Sequence, residues 1–281
     1  MYRLAAEGVL PHTPPMYRRL SAQLAQARRE GRFPDLIDTV REVHVPPAWP
    51  DADAFVAEMP TWFRLDRSAG QKQALYVAPE KDTLRQQLTS WLEFAGIPVL
   101  VVRGFSSQSY ADAVRDRVAH EQREAHLAVV GDFDCSGEDI ERDWVERTGC
   151  WSSVTRVLLT YEQVRTYGLP ATEDKSGDPR WPAFARRYGF DPRRPVPWEM
   201  EALEPAELQR LVLAAVDPYT DRTVLAQQIA REEEQRRALA DFLGGGLALT
   251  PCTRTPSSEA SPGPVPAARL RAVAHRASVP G

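Results

Sequence analysis

The sequence has 281 residues, of which 43% are hydrophobic and 26% are charged, a composition typical of a soluble globular chain with room for one large or two small domains. Its formal net charge of −4 excludes a chain that attracts polyanions over its whole surface, so any affinity for nucleic acid must come from a local patch. Three cysteines, Cys135, Cys150 and Cys252, show no metal-ligand spacing and predict a reducing, cytoplasmic location. We expect no signal peptide and no membrane span, because no apolar run is long enough.

The first part of the chain, residues 1–45, is predicted to be a small basic lobe with two short helices. The second helix, over residues 16–30, opens after two prolines and ends at Gly31. Its charge comes from four arginines: Arg18, Arg19, Arg28 and Arg29. This pattern predicts either a DNA-binding helix-turn-helix or winged-helix element, or an amphipathic helix with a solvated arginine face.

A connector over residues 46–73 leads to a pattern of short apolar runs that alternate with amphipathic segments. The apolar runs are rich in β-branched residues and predict buried strands. The segments between them show helical spacing, so the pattern indicates a parallel sheet with helices on both faces. Strands are expected over residues 74–78, 98–102, 127–130 and 154–159, and helices over residues 81–95, around 113–118 and over 138–147.

Polar residues follow three of the predicted strands at their carboxyl ends. Glu80 follows the first strand, Arg103 the second, and Asp132 and Asp134 the third. Functional groups of such sheets gather beyond the carboxyl ends of the strands, so these side chains are expected to converge. In extended backbone the two aspartates project to the same side and form a hard-oxygen site that suits Mg²⁺. The alternative for an Asp-x-Asp pair is a solvated turn without a metal.

The motifs at these strand ends resemble those of a Toprim domain, the metal-binding domain of topoisomerases, bacterial primases and some nucleases. The resemblance rests on Glu80–Lys81, on an Arg-Gly-x-Ser-Ser loop that begins at Arg103, and on Asp-x-Asp-x-Ser-Gly at 132–137. The last motif is most similar to the branch that contains the A subunit of topoisomerase VI and its meiotic double-strand-break relatives. The sequence departs from that pattern at Pro79 and Cys135, and neither change removes a carboxylate.

The resemblance implies a role for each of these residues. Glu80 would be the general acid or base, or a metal ligand, while Asp132 and Asp134 would hold Mg²⁺. Lys81 and Arg103 would clamp the phosphate backbone of DNA, with pairing to a neighbouring carboxylate as the alternative.

Three motifs of the N-terminal lobe carry a second resemblance: Tyr-Arg-Leu at 2–4 followed by a glycine, Tyr-x-x-Leu at 17–20, and Ala-Arg-Arg-x-Gly at 27–31. They resemble the winged-helix domain that precedes Toprim in this branch and that carries a DNA-attacking tyrosine. Tyr2 matches that tyrosine by position, and a phenol can attack a phosphodiester and hold the strand as a phosphotyrosine. The helix and the arginine that should precede it do not come before Tyr2, so either the true start lies further upstream or the strand-breaking chemistry is lost. In the chain as it stands, we expect Tyr2 to pack in its own lobe rather than break DNA. The resemblance also implies DNA as a partner, a homodimer, and a separate ATPase subunit, since the sequence has no Gly-rich phosphate loop.

Residues 74–160 would form the Toprim-like domain, and residues 161–243 would form a C-terminal extension of it. The extension contains a Trp-Glu-Met-Glu run that resembles an acidic segment of bacterial and phage Toprim proteins. Glu199 or Glu201 would therefore add a metal ligand, with a cap before the next helix as the alternative. The tail over residues 244–281 is rich in glycine and proline and is expected to be disordered.

The sequence thus predicts an α/β fold: a Toprim-like parallel sheet flanked by helices, preceded by a small winged-helix-like lobe. The expected function is Mg²⁺-dependent cleavage of DNA phosphodiesters, either topoisomerase-like through a tyrosine or nuclease-like through water. The alternative is a non-catalytic or partner-dependent DNA-binding protein that retains the fold. A primase-like polymerase with the same metal site is disfavoured by the winged-helix resemblance.

Overall fold

A three-stranded parallel sheet flanked by helices forms the centre of the fold in a computed structural model of the chain. The structure describes residues 4–5, 7–11, 13–34, 45–102, 104, 106–172 and 178–244. The chain groups into two compact units, residues 1–40 with 66–228 and residues 41–65 with 229–281. The five-part division expected from the sequence stays a prediction.

The helices and strands of the described residues follow the predicted alternation. The strands are β1 (Gln73–Pro79), β2 (Glu124–Val130) and β3 (Ser153–Leu158). The helices of the first unit are α1 (Pro14–Arg29), α3 (Arg85–Leu92), α4 (Gln108–Ala119), α5 (Cys135–Thr148), α6 (Tyr161–Thr166), α7 (Trp181–Tyr188) and α8 (Pro205–Val216). Helix α2 (Ala52–Trp62) belongs to the second unit, and α9 (Arg222–Gly244) begins in the first unit and ends in the second.

Strand β2 lies between β1 and β3, and all three strands are parallel. Leu127 in β2 pairs with Tyr76 in β1 and with Val154 in β3. Six of the seven residues in β2 are buried, which matches the continuous apolar run expected of a strand with helices on both faces.

The segment over residues 98–102 lies against the other edge of β1. The Val77 N–H donates to Pro98 O at 3.0 Å, and the Leu100 N–H donates to Val77 O at 2.8 Å. The strand predicted here is present only in part, since Val99 alone forms a β-bridge. Across the sheet, the order is therefore residues 98–102, β1, β2 and β3. Along the chain these are the second, first, third and fourth segments. This order places a topological switch point between β1 and β2.

Alternate residues of β1 pack into two separate hydrophobic clusters, as the two-residue period of a strand requires. Leu75 and Val77 pack with apolar residues of α3 and α8 on one face. Tyr76 and Ala78 pack with apolar residues of α4 and α5 on the other face. The prediction of helices on both faces of the sheet is thus confirmed.

The helix expected over residues 81–95 is divided into three parts. Short 3₁₀ turns at Asp82–Leu84 and Glu93–Ala95 flank α3. Gly96 follows with a φ of 68°, a left-handed conformation that favours glycine, and it ends the helical segment at the expected position.

The N-terminal lobe is described over residues 4–34 apart from two positions. Within that part of the lobe the structure contains one complete helix, α1, and no strand. None of the residues of α1 is buried. Of its four arginines, Arg18, Arg19 and Arg29 are exposed and Arg28 is half-buried. The winged-helix assignment stays a prediction.

The second unit has its own buried polar centre. Glu232 in α9 is fully buried, accepts a hydrogen bond of 3.1 Å from the Leu65 N–H, and pairs with Arg236 one turn later in the same helix. Across the described residues, none of the helices has the length and apolar character that a membrane crossing requires.

Candidate metal centre

The carboxyl ends of β1 and β2 meet at the switch point of the sheet. Glu80 directly follows β1, and Asp132 follows β2 after one glycine. The Glu80 N–H donates to Val130 O at 2.9 Å, and the Asp132 N–H donates to Glu80 Oε2 at 3.2 Å. These hydrogen bonds bring Glu80 and Asp132 together although 52 positions separate them in the sequence.

Three acidic side chains converge on Lys81. Its Nζ lies 2.8 Å from Asp132 Oδ2, 2.9 Å from Glu201 Oε2 and 3.4 Å from Glu199 Oε2. Each of the three acids offers one carboxylate oxygen, and these oxygens all lie within 4.8 Å of one another. Carboxylate oxygens at this separation are the hard ligands that Mg²⁺, Mn²⁺ and Ca²⁺ accept.

A short antiparallel bridge brings the two glutamates to this position. The Phe133 N–H donates to Trp198 O at 2.9 Å, and the Trp198 N–H donates to Phe133 O at 3.1 Å. The Met200 N–H then donates to Asp132 Oδ1 at 3.0 Å. The backbone after Trp198 is thereby fixed beside Asp132, with Glu199 and Glu201 both facing Lys81.

The pKa values of Asp132 and Lys81 are both raised, but for different reasons. Burial raises the pKa of Asp132 to about 7, although the Lys81 ammonium attracts the carboxylate and opposes this rise. For Lys81, burial favours the neutral form, but the carboxylates of Asp132 and Glu201 outweigh it and raise the pKa of the amine. Lys81 is therefore a stable cation, while Asp132 holds its proton far more readily than an exposed aspartate does.

Glu80 is seated in a space that two glycines leave open. A Cβ atom at Gly131 would lie 2.8 Å from Glu80 Oε2, and a Cβ atom at Gly137 would lie 3.0 Å from it. Burial raises the pKa of Glu80, and the charge of Asp134 raises it further. A carboxyl group whose pKa lies above its usual range holds a proton more readily than an exposed glutamate does, which suits a general acid or base.

Asp134 has a structural role at the start of α5. It is the N-cap residue, and its Oδ1 accepts a hydrogen bond of 2.7 Å from the Gly137 N–H. The sequence predicted that Asp132, Asp134 and Glu80 hold the metal. That assignment stays a prediction, and in the described residues the acids whose oxygens converge are Asp132, Glu199 and Glu201.

Two substitutions separate the cap from the charge of Asp134. Asp134→Asn should keep the cap and change the free energy of unfolding little, because asparagine caps helices as well as aspartate does. Asp134→Ala should destabilise the protein by about 1 kcal/mol, because it leaves the Gly137 N–H without its acceptor. Urea unfolding of both variants measures the difference. Equal losses in the two variants would show that the charge, and not the cap, stabilises this turn.

Gly137→Ala should destabilise the protein although alanine is the better helix former. The new Cβ would lie 2.8 Å from Asp132 O as well as 3.0 Å from Glu80 Oε2, and neither contact can be relieved without moving the site. Overpacking of this kind costs about 1–3 kcal/mol, which exceeds the gain of about 1 kcal/mol in helix propensity. Ser136→Ala in the same turn is the control in urea unfolding. A Gly137→Ala protein more stable than wild type would contradict the close packing of Gly137 against Glu80 and Asp132.

Arg156 is a contributor to the site that the sequence analysis missed. From β3, its Nε donates to Leu159 O at 2.9 Å, and its guanidinium also contacts Asp132 O and the carboxylate of Glu141. It thus ties the loop after β2 to β3 and α5. An arginine in the middle of a strand with no motif around it gives no signal of this role in the sequence.

Two predicted site residues, Tyr2 and Arg103, lie outside the described residues, as does the expected tail beyond Gly244. Their predicted roles stay predictions. In α1, the Arg29 guanidinium donates to Gln26 Oε1 of the same helix at 2.7 Å.

Comparison with known protein families and with curated proteins found no match for this chain. The resemblance to Toprim domains therefore stays a prediction from the sequence motifs.

Proposed function

We propose that this protein is a Mg²⁺-dependent enzyme that cleaves DNA phosphodiester bonds on a Toprim-like α/β domain. The observation that supports this most is the convergence of Asp132, Glu199 and Glu201, whose oxygens lie within 4.8 Å of one another beyond the carboxyl ends of β1 and β2. Ligands of open α/β sheets bind at such a switch point. The donor set, three carboxylates on a partly buried edge, fits a hard divalent cation.

In this function each side chain at the strand ends has a separate chemical role. A bound Mg²⁺ would supply stabilisation for the negative charge that develops on the scissile phosphate. Glu80, held between Gly131 and Gly137, would hold the proton that is exchanged with the attacking or leaving oxygen. Lys81 would bind a phosphate oxygen from the open side of the cluster, where its side chain keeps 28% of its exposure.

The basic helix α1 would provide the contact with the DNA backbone. Arg18, Arg19 and Arg29 are exposed, and the last turn of α1 contains Arg28 and Arg29. A cluster of positive charge on a chain whose net charge is −4 concentrates phosphate binding on one surface. Contacts of this type position DNA without reading its sequence.

The second candidate function is a DNA-binding or assembly protein that keeps the fold without turnover. The contacts of Lys81 favour it, because a lysine that pairs with three carboxylates also forms a stable charge network without a metal. The two functions differ in one respect that can be measured, the cleavage of DNA.

Incubation with supercoiled plasmid in Mg²⁺ or in EDTA tests the proposal. We expect nicking in Mg²⁺ only, kept in Tyr2→Phe and in the surface control Asp112→Asn, and lost in Asp132→Ala. Loss in Tyr2→Phe as well, with wild-type protein left attached to DNA, would indicate a tyrosine nucleophile instead of water. DNA binding without cleavage under every condition would overturn the enzyme proposal in favour of the second candidate.

A further inference from the structure

The Lys81 ammonium occupies the point where the three carboxylates of the candidate metal centre meet. Its Nζ lies within 3.4 Å of an oxygen from each of Asp132, Glu199 and Glu201. The ammonium group has three N–H donors and can serve all three acids at once. In the protein without a metal, this one side chain therefore neutralises part of the charge that brings the acids together.

A divalent cation and the Lys81 ammonium compete for the same space. Mg²⁺ binds oxygen at about 2.0–2.1 Å, so an ion shared by these carboxylates would lie within about 3 Å of the present Nζ position. Two cations at such a distance in a partly buried site repel each other strongly. The metal can enter only if the lysine leaves.

We infer that Lys81 is a resident counter-ion that a divalent cation displaces, and that the displaced ammonium becomes the group that receives a phosphate oxygen of the substrate. This inference rests on the proposed function and adds to it a control of the site by metal occupancy. The exposed part of the Lys81 side chain, 28%, gives the flexible stem a path towards solvent. Glu201, which is 31% exposed, is the acid on that open side.

The exchange links metal binding to substrate binding. Before the metal enters, Lys81 is held by three carboxylates and is poorly placed to bind phosphate. After displacement the ammonium lies beside a metal whose charge has neutralised those acids, so both cations face an incoming anion. Metal and DNA should therefore strengthen each other's binding, because each favours the released position of Lys81.

Substitution of Lys81 by methionine tests the exchange, because methionine keeps most of the stem and removes the charge. The matched control is Lys72→Met, a change at an exposed lysine just before β1. Mn²⁺ binding is measured by electron paramagnetic resonance with the full chain. We expect the Kd for Mn²⁺ to fall at least about tenfold in Lys81→Met, because a competing charge is gone, and to stay unchanged in Lys72→Met.

Thermal unfolding and NMR give readouts that do not depend on activity. Lys81→Met should unfold at a lower temperature than wild type in EDTA and recover when Mn²⁺ is added, whereas a purely structural ion pair would give a loss that Mn²⁺ does not repair. In wild-type protein labelled with ¹⁵N-lysine, Mg²⁺ should shift the Lys81 Nζ resonance, and this holds even if the variant fails to fold.

The possible outcomes distinguish the displacement of Lys81 by a metal from the existence of the metal centre. If wild type binds Mn²⁺ and Lys81→Met binds it no more tightly, with no shift of the Lys81 resonance, the exchange is overturned and the proposed metal centre stands. If neither protein binds Mn²⁺, the proposed function and the inference both fail.

Discussion

Asp132→Asn should make the metal-free protein more stable at pH 8 and should flatten the dependence of its stability on pH. In the folded protein, burial raises the pKa of Asp132 from 3.8 to about 7. The folded state therefore holds the proton more tightly than the unfolded chain does. The stability that this proton contributes is fully present below pH 3.8 and is lost as the pH rises to about 7. A shift of this size corresponds to about 4 kcal/mol.

Urea unfolding in EDTA at pH 5 and pH 8 measures this effect. Wild type should lose about 2–3 kcal/mol between the two values, because the rest of the effect lies below pH 5. Asp132→Asn should lose much less, since the amide has no proton to release and still accepts from the Met200 N–H. Asp112→Asn, a change at a carboxylate whose side chain is 48% exposed, should follow wild type. An Asp132→Asn protein that is less stable than wild type at pH 8 would show that the contact with Lys81 outweighs the cost of burying the charge.

Phe133→Ala should cost about 3–5 kcal/mol of stability and should also disturb the metal centre. Phe133 is 1% exposed, and its ring lies against the rings of five other aromatic residues at centroid distances from 4.8 to 6.4 Å. Those residues are Tyr161, Phe184, Tyr188, Phe190 and Trp198. Loss of the ring removes both apolar burial and the support of the bridge to Trp198, on which the placement of Glu199 and Glu201 depends.

The measurements for Phe133→Ala are urea unfolding and Mn²⁺ binding on the same sample. Phe94→Ala is the control, because Phe94 is 40% exposed and should cost far less. We expect the Phe133 variant to bind Mn²⁺ more weakly under conditions where it is still folded. Unchanged Mn²⁺ affinity in a folded Phe133→Ala protein would show that the glutamates reach Asp132 without the aromatic cluster.

The sequence predicted the sheet well because its strands are short, apolar and β-branched and its helices have apolar residues at regular spacing. Leu75 and Val77 pack on one face of the sheet, and Tyr76 and Ala78 pack on the other. Gly96 ends the helical segment at the predicted position. The segment over residues 98–102 was predicted less well. Pro98 has no N–H to donate, and the segment lies at the edge of the sheet, so it pairs with β1 through few hydrogen bonds.

Only the site residues that directly follow the strands could be predicted from the local sequence. Glu80 and the two aspartates lie at strand ends, and the topology of a parallel sheet brings such positions together. The cap made by Asp134 follows from its place before α5. The role of the Asp-x-Asp pair as metal ligands stays a prediction. The convergence of Glu199 and Glu201 on Asp132 depends on a bridge between residues 65 positions apart, and only the resemblance to an acidic segment indicated it.

The most direct test of the account is a crystal of the full chain soaked in Mn²⁺ and measured at a wavelength where manganese scatters anomalously. We expect one manganese peak among the carboxylates of Asp132, Glu199 and Glu201, with the Lys81 ammonium moved away from its present position. The peak should disappear in a Glu199→Gln, Glu201→Gln double variant and persist in Glu207→Gln. A peak held by Glu80 and Asp134 instead, or no peak at all, would contradict the metal centre proposed here.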